Sequence, residues 1–142
     1  MKLDIAEKGK TVHIEVSEEA ARSLYGMKIG EIVEGSLLDA KFKGFKFQIT
    51  GLSNIAGFPA RRDVEGASLR RVLLSKGVGM RQKGKGLRLK KTIRGNAIAK
   101  DIAQVNLKVI GIEAEAAKSL AEALGKAGVG RKVEAVEATV EV

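Results

Sequence analysis

The run Gly79-Met-Arg-Gln-Lys-Gly84-Lys85-Gly86 matches the phosphate-cradling pattern G-x-x-x-x-G-K up to its last position. In that pattern backbone amides wrap a nucleotide's phosphates, the lysine reaches their outer oxygens, and a closing Ser or Thr sets a hydroxyl on Mg²⁺. Gly86 has no hydroxyl, and the Gly86-Leu-Arg-Leu-Lys-Lys run that follows opens no stable helix, so nucleotide hydrolysis is not expected. Gly125-Lys-Ala-Gly128 has the G-x-x-G form of a nucleic-acid clamp, but it follows an expected helix and leads into an expected strand instead of joining two helices. A helix C-cap and loop account for it. The single histidine, His13, falls on the polar face of a strand, with no cysteine in the chain to pair with. Acids such as Glu18, Glu19, Glu137 and Glu141 are scattered over helix and strand faces. No pair of them is framed by a pocket motif, and no His, Cys, Asp and Glu cluster has metal-ligand spacing. The expectation is therefore no enzyme, no metal, no cofactor and no small-molecule substrate.

What remains is charge, and it is concentrated. From Arg61 to Lys100 the chain carries thirteen Lys or Arg against two Asp or Glu, a local balance of +11, while the other 102 residues balance at −2. Arg61, Arg62, Arg70, Arg71, Lys76, Arg81, Lys83, Lys85, Arg88, Lys90, Lys91 and Arg94 recur every few residues with glycines between them. A near-neutral body with one cationic segment is suited to a polyanion. Each cation set on a phosphate releases condensed counterions, and glycine lets the backbone come close to the phosphate chain. Aromatic platforms for stacked bases are nearly absent, Phe58 being the nearest, so these residues predict contact with phosphates and RNA shape rather than with splayed bases. Charge by itself leaves a general nucleic-acid-binding module as an alternative, because DNA phosphates attract the same cations.

Several elements must position this stretch. Val12, Ile14 and Val16 alternate with polar neighbours, and Leu3 and Ile5 supply a partner strand across a turn at Glu7 to Lys10. Ser17 stands at an N-cap, Glu18 and Glu19 complement the helix dipole, and the helix stops near Gly26. Ile29 to Leu38 and Phe45 to Ile49 read as strands joined by a polar turn around Lys41 to Gly44, and Gly51 to Pro59 reads as a loop. Leu69 to Leu74 is a strand. Lys76 to Lys91 holds four glycines and no usable apolar period, which predicts an extended or disordered segment until a partner orders it. Ile93 to Ile102 and Val105 to Ile110 return to strand character, Glu113 to Leu124 to an amphipathic helix ending at Gly125, and Val136 to Val142 to a closing strand. Glu19-Ala-Ala-Arg-Ser-Leu24 and Glu115-Ala-Ala-Lys-Ser-Leu120 echo each other between strand-like runs; a coincidence of ordinary helix composition explains this at least as well, so the echo only leans toward a small barrel.

These elements fit one domain over 1–142, since single domains run to about 100 to 200 residues. It comprises the basic segment at 61–100 and a C-terminal helix-strand element at 111–142. The expected class is mainly β with two short helices (α+β), a small β-barrel body with an extended basic loop. Hydrophobic residues make up 44% of the 142 residues, with four Phe, one Tyr and no Trp, so an aliphatic core of small side chains is expected. The absence of cysteine fits a reducing, cytoplasmic setting, and no apolar run approaches the roughly 18 residues of a membrane span.

Three stretches resemble a known family in order and spacing. They are Ile49-Thr50-Gly51-Leu-Ser-Asn-Ile-Ala-Gly57-Phe58-Pro59, Arg71-Val-Leu-Leu-Ser75-Lys76-Gly77 and Lys90-Lys91-Thr-Ile-Arg94-Gly95-Asn96, and the opening Met1-Lys2-Leu3-Asp4-Ile5 fits as well. Over about Met1 to Ile110 the chain is similar to the sixth small-subunit ribosomal protein of archaea and eukaryotes, unrelated to the bacterial protein of that number. The resemblance implies a non-catalytic, rRNA-binding protein with a small β-barrel body, in the cytoplasmic ribosome. Its implied partners are small-subunit ribosomal RNA and neighbouring ribosomal proteins, with no membrane. It also implies that the Gly57-Phe58-Pro59 turn, Lys76 beside Gly77, and Arg81 to Arg94 face RNA. Beyond Ile110 the likeness ends: eukaryotic members continue into a basic, phosphorylated helical tail, whereas here an acidic-leaning helix and strand are expected, as in a shorter archaeal form.

Overall fold

The computed structural model describes residues 1–112. The first hairpin forms as its alternation predicts. Strand β1 (Lys2–Glu7) pairs antiparallel with β2 (Lys10–Glu15), with Leu3, Ile5 and Val12 buried. Helix α1 (Glu18–Leu24) is capped by Ser17, whose Oγ accepts from the Ala20 amide, and the chain leaves it through Gly26 at φ +87°. The expected strand over Ile29 to Leu38 is shorter, since β3 spans only Ile32–Glu34 before a 3-10 turn at Gly35–Leu37. That turn packs so tightly that a Cβ on Gly35 would lie 2.0 Å from the Phe42 carbonyl oxygen.

Strand β4 (Phe45–Asn54) runs past the expected loop boundary, because a bulge at Thr50 keeps Gly51 in the ladder, paired with Asn106. There Thr50 is the extra residue between the Ile49–Leu107 and Gly51–Asn106 pairs, its hydroxyl donating to the Asn106 carbonyl at 3.1 Å. Bulges admit one unpaired residue and bend the strand instead of ending it. Strands β5 (Leu69–Leu74) and β6 (Leu89–Arg94) follow, then β7 (Ile102–Ile112). Residues 95–101, expected as strand, are irregular.

The main sheet has the order β2-β1-β7-β4-β3, with β1 and β7 parallel and the other neighbours antiparallel. One face buries Leu3, Ile5, Val33, Phe47, Ile49, Leu52, Val105 and Leu107, and Leu24 of α1 belongs to the same core. The core is more aromatic than composition suggested. Phe42, Phe45 and Phe47 are all buried, Phe42 edge-on to Phe47 at 5.9 Å and Phe45 parallel to it at 6.1 Å. Each such side chain contributes about 1.5–3 kcal/mol on burial. The other face is polar: Asp4 accepts from Gln104, Gln104 donates to Asn106 at 2.8 Å, and His13 Nδ1 lies 2.6 Å from Asp4, on the polar side expected of it.

The described strands do not close into the expected barrel. The sheet is open, with β2 and β3 as its edges, and β5 and β6 form a separate two-stranded ribbon. The ribbon joins the sheet through one seam: Ala60 donates to the Leu52 carbonyl, while the amides of Arg94 and Arg61 donate to the Pro59 and Arg94 carbonyls. One helix lies within the described residues; the helix expected over Glu113 to Leu124 and the strand over Val136 to Val142 lie outside them. Among the described residues no helix is long and apolar enough to cross a membrane.

Candidate nucleic-acid interface

The ribbon is the arm on which most of the basic residues stand. Its register sets Arg70 opposite Ile93, Arg71 opposite Thr92, Val72 opposite Lys91 and Leu73 opposite Lys90. Side chains alternate across a strand, so Arg71 and Lys90 project from one face and Arg70 and Lys91 from the other. Arg70, Arg71 and Lys90 are exposed and Lys91 is half-buried. Cations therefore line both sides of the arm.

Residues 75–88 connect the two strands without helix or strand, through turns in which Met80 donates to Gly77 and Leu87 to Gly84. Lys76, Arg81, Lys83, Lys85 and Arg88 are all exposed on this tip. The segment is less extended than its glycine content predicts, and Leu89 to Lys91 belong to β6. Lys76, Lys83 and Arg88 surround a hollow of about 450 Å³ at the tip. Gly79, first glycine of the phosphate-loop-like motif, serves packing: at φ +89° its Cβ position would lie 3.1 Å from Ile93 and 3.3 Å from Leu74. No helix follows Gly86, whose next element is β6, so the motif lacks the setting that nucleotide binding requires.

Arg94 corrects the expectation that it projects toward RNA. It is 0% exposed. Its guanidinium donates to both oxygens of Asp101 at 3.0 and 2.7 Å, and to the carbonyls of Gly95 (3.2 Å) and Ala97. Residues beside it brace the loop before the ribbon. Gly95 donates to the Ser68 carbonyl, Asn96 to those of Val64 and Arg62, and a Cβ on Gly95 would stand 2.0 Å from the Gly66 oxygen. The Arg94-Gly95-Asn96 run is thus a fastening. Its signal in the sequence was available in the nearby Asp101 and the adjacent glycine, but only the fold reveals that they meet.

Arg61 is partly diverted too. It holds Asp63 through paired hydrogen bonds at 3.0 and 2.9 Å and reaches the Val78 carbonyl at 3.5 Å. Its hydrogen bonds to Asp63 keep that carboxyl below the usual carboxylate range. Among the described residues, no other member of the twelve expected site residues makes an ion pair. At the Gly57-Phe58-Pro59 turn Gly57 has φ +86°, and the Asn54 side chain accepts from the Phe58 amide at 2.8 Å. No group of His, Cys, Asp and Glu among the described residues is placed to hold a metal ion.

Comparison with known proteins finds that the family model described as ribosomal protein S6e matches residues 1–124, which extends the likeness past Ile110, where the sequence motifs had ended it. The chain belongs to the ribosomal protein S6e family. Similar proteins include one from Methanothermobacter thermautotrophicus, 41% identical over 124 residues that cover 87% of this chain and 94% of the relative. Another, from Methanocaldococcus jannaschii, is 45% identical over 105 residues, 74% of this chain and 76% of the relative. A third, from Methanosphaera stadtmanae, is 41% identical over 108 residues, covering 76% and 82%. All three bear the name small ribosomal subunit protein eS6. All three family-bearing stretches of the sequence lie at the seam or on the arm: the end of β4 and its turn, the end of β5 with the start of the tip, and β6 with its fastening.

Proposed function

We propose that this S6e-family chain is a structural, non-enzymatic constituent of the small ribosomal subunit, and that it holds ribosomal RNA with its β5–β6 arm. The observation that carries this reading is the state of the arm's cations. Arg70, Arg71, Lys76, Arg81, Lys83, Lys85, Arg88 and Lys90 are exposed without an acidic partner among the described residues, on a narrow ribbon that can present them on two sides. Eight like charges held this close repel one another, and a phosphate backbone is the partner that relieves the repulsion. The body's polar sheet face and the C-terminal segment are left to neighbouring ribosomal proteins.

Affinity for small-subunit ribosomal RNA is expected to fall steeply with salt, the slope of log K against log salt being roughly −0.9 per phosphate neutralised on a duplex. Replacing Lys83, Lys85, Lys90 and Lys91 together with Ala should weaken binding and flatten the slope while the circular-dichroism spectrum stays unchanged. Salt-independent affinity would refute the reading, and equal competition by duplex DNA would favour a general nucleic-acid module instead.

A further inference from the structure

Arg62 is arranged unlike the other cations. Its guanidinium lies against Gly30, so that a Cβ on that glycine would be 3.0, 3.1 and 3.3 Å from Nη2, Cζ and Nε. Three near-equal distances mean that the plane of the group lies flat over the glycine. Gly30 is itself fixed, with φ +98°, its amide donating to the Ile49 carbonyl at 2.8 Å and its carbonyl accepting from Gln48 at 3.3 Å. No side chain could stand there without lifting the guanidinium. Arg62 remains exposed, and it has no ion-pair partner among the described residues, because Asp63 is taken by Arg61. Its own backbone is pinned where its carbonyl accepts from Asn96 at 3.1 Å.

Beside this plane opens a cleft of about 350 Å³ between β4 and the base of the arm, near the lower end of small-ligand sites at about 300–1,000 Å³. Its walls are mixed. Val78 (56% exposed), Ile29 and Ala60 are apolar, whereas Thr50, the Arg61–Asp63 pair and Arg62 are polar. A phosphate alone gains nothing from the apolar wall. A nucleobase gains from all of it: guanidinium planes stack on bases, apolar groups cover them, and polar groups at the rim meet a base edge.

We infer that this cleft receives one unpaired RNA nucleotide, its base stacked on the outward face of Arg62 and covered by Val78. The inference rests on the RNA-binding reading above and refines it. The arm would contribute phosphate contacts, and the cleft at its root a single base contact that the scarcity of aromatic side chains hides. A second observation favours RNA over an aromatic side chain of a protein as the occupant, since the cleft lies at the foot of the +11 segment, whose field concentrates polyanions.

The test uses the full chain and two RNA duplexes of identical stem, one continuous and one with a single bulged nucleotide, with binding read by fluorescence anisotropy. The bulged duplex should bind about tenfold tighter, the scale of one stacked base. Arg62→Lys keeps the charge and loses the plane, so it should abolish that advantage, the variant binding the two duplexes alike. Adding the bulged duplex, but not the continuous one, should shift the Gly30 and Val78 amide resonances. Equal affinity for both duplexes, or an advantage that survives Arg62→Lys, would overturn the base contact and leave the phosphate reading standing. Failure of both duplexes to bind would remove the RNA-binding reading and this inference together.

Discussion

Among single residues, Arg94 shows how little an arginine's location in a basic stretch says about its role. It lies within the cationic segment, yet its side chain is sealed in the body against Asp101 and two carbonyls. Arg94→Ala would leave those acceptors unpaired and a void in a packed region, so we expect a loss of about 3 kcal/mol in chemical denaturation. An exposed residue of the tip such as Lys85 should cost within about 0.5 kcal/mol in the same measurement. Asp101 adds a pH dependence. The Arg94 hydrogen bonds hold its carboxyl below the ordinary range. A carboxylate with a lowered folded pKa contributes stability that is fully present above its unfolded value, about 3.9, and lost as pH falls through the folded value. The unfolding midpoint should thus drop as pH falls below about 4, and Asp101→Asn should remove that part of the decline. Because Asp101 is 46% exposed on its side chain, solvent screening keeps this contribution small.

As elements, the sheet and the ribbon are built to different standards. Strands β4 and β7 pair over most of their length and bury Phe47, Ile49, Val105 and Leu107 between the sheet and its packed layer. The ribbon has two strands, buries Leu74 and Ile93, and meets the body along the Pro59 to Arg61 seam. Two-stranded hairpins are marginal without such support. In hydrogen exchange the β5 and β6 amides should open at lower free energy than those of β4 and β7, and added RNA should protect the ribbon most. Protection of the ribbon equal to that of the sheet in the free protein would show the seam to be stronger than its hydrogen bonds suggest.

For the whole molecule, charge and stability pull in opposite directions. The +11 excess sits on a slender arm and at its root, where like charges repel in the absence of a partner. Screening reaches about 10 Å at 0.1 M salt and shortens as salt rises. Raising sodium chloride should therefore raise the thermal midpoint of the free protein while it lowers affinity for RNA. The two trends, measured on one preparation, separate the cost of gathering the cations from the gain of placing phosphates among them. A midpoint that falls with salt would mean that attractive pairs such as Arg61–Asp63 outweigh the repulsion.

Much of this was legible in the residues themselves. The first hairpin, the Ser17 cap, and the strand over Leu69 to Leu74 depend on period and neighbouring residue types, which act over a few positions. The cationic segment and its family resemblance were equally plain, because charge counts and ordered motifs require no knowledge of contacts. Only the tertiary structure decided that the described strands form an open sheet and a separate ribbon, since strand order depends on pairings as distant as Lys2 with Gln104. It alone distinguished a fastening arginine from presenting ones, and set Arg62 flat on Gly30, thirty-two positions away. A guanidinium bears the same charge in every setting; whether it is buried, paired or offered to a partner is decided by what the fold brings against it.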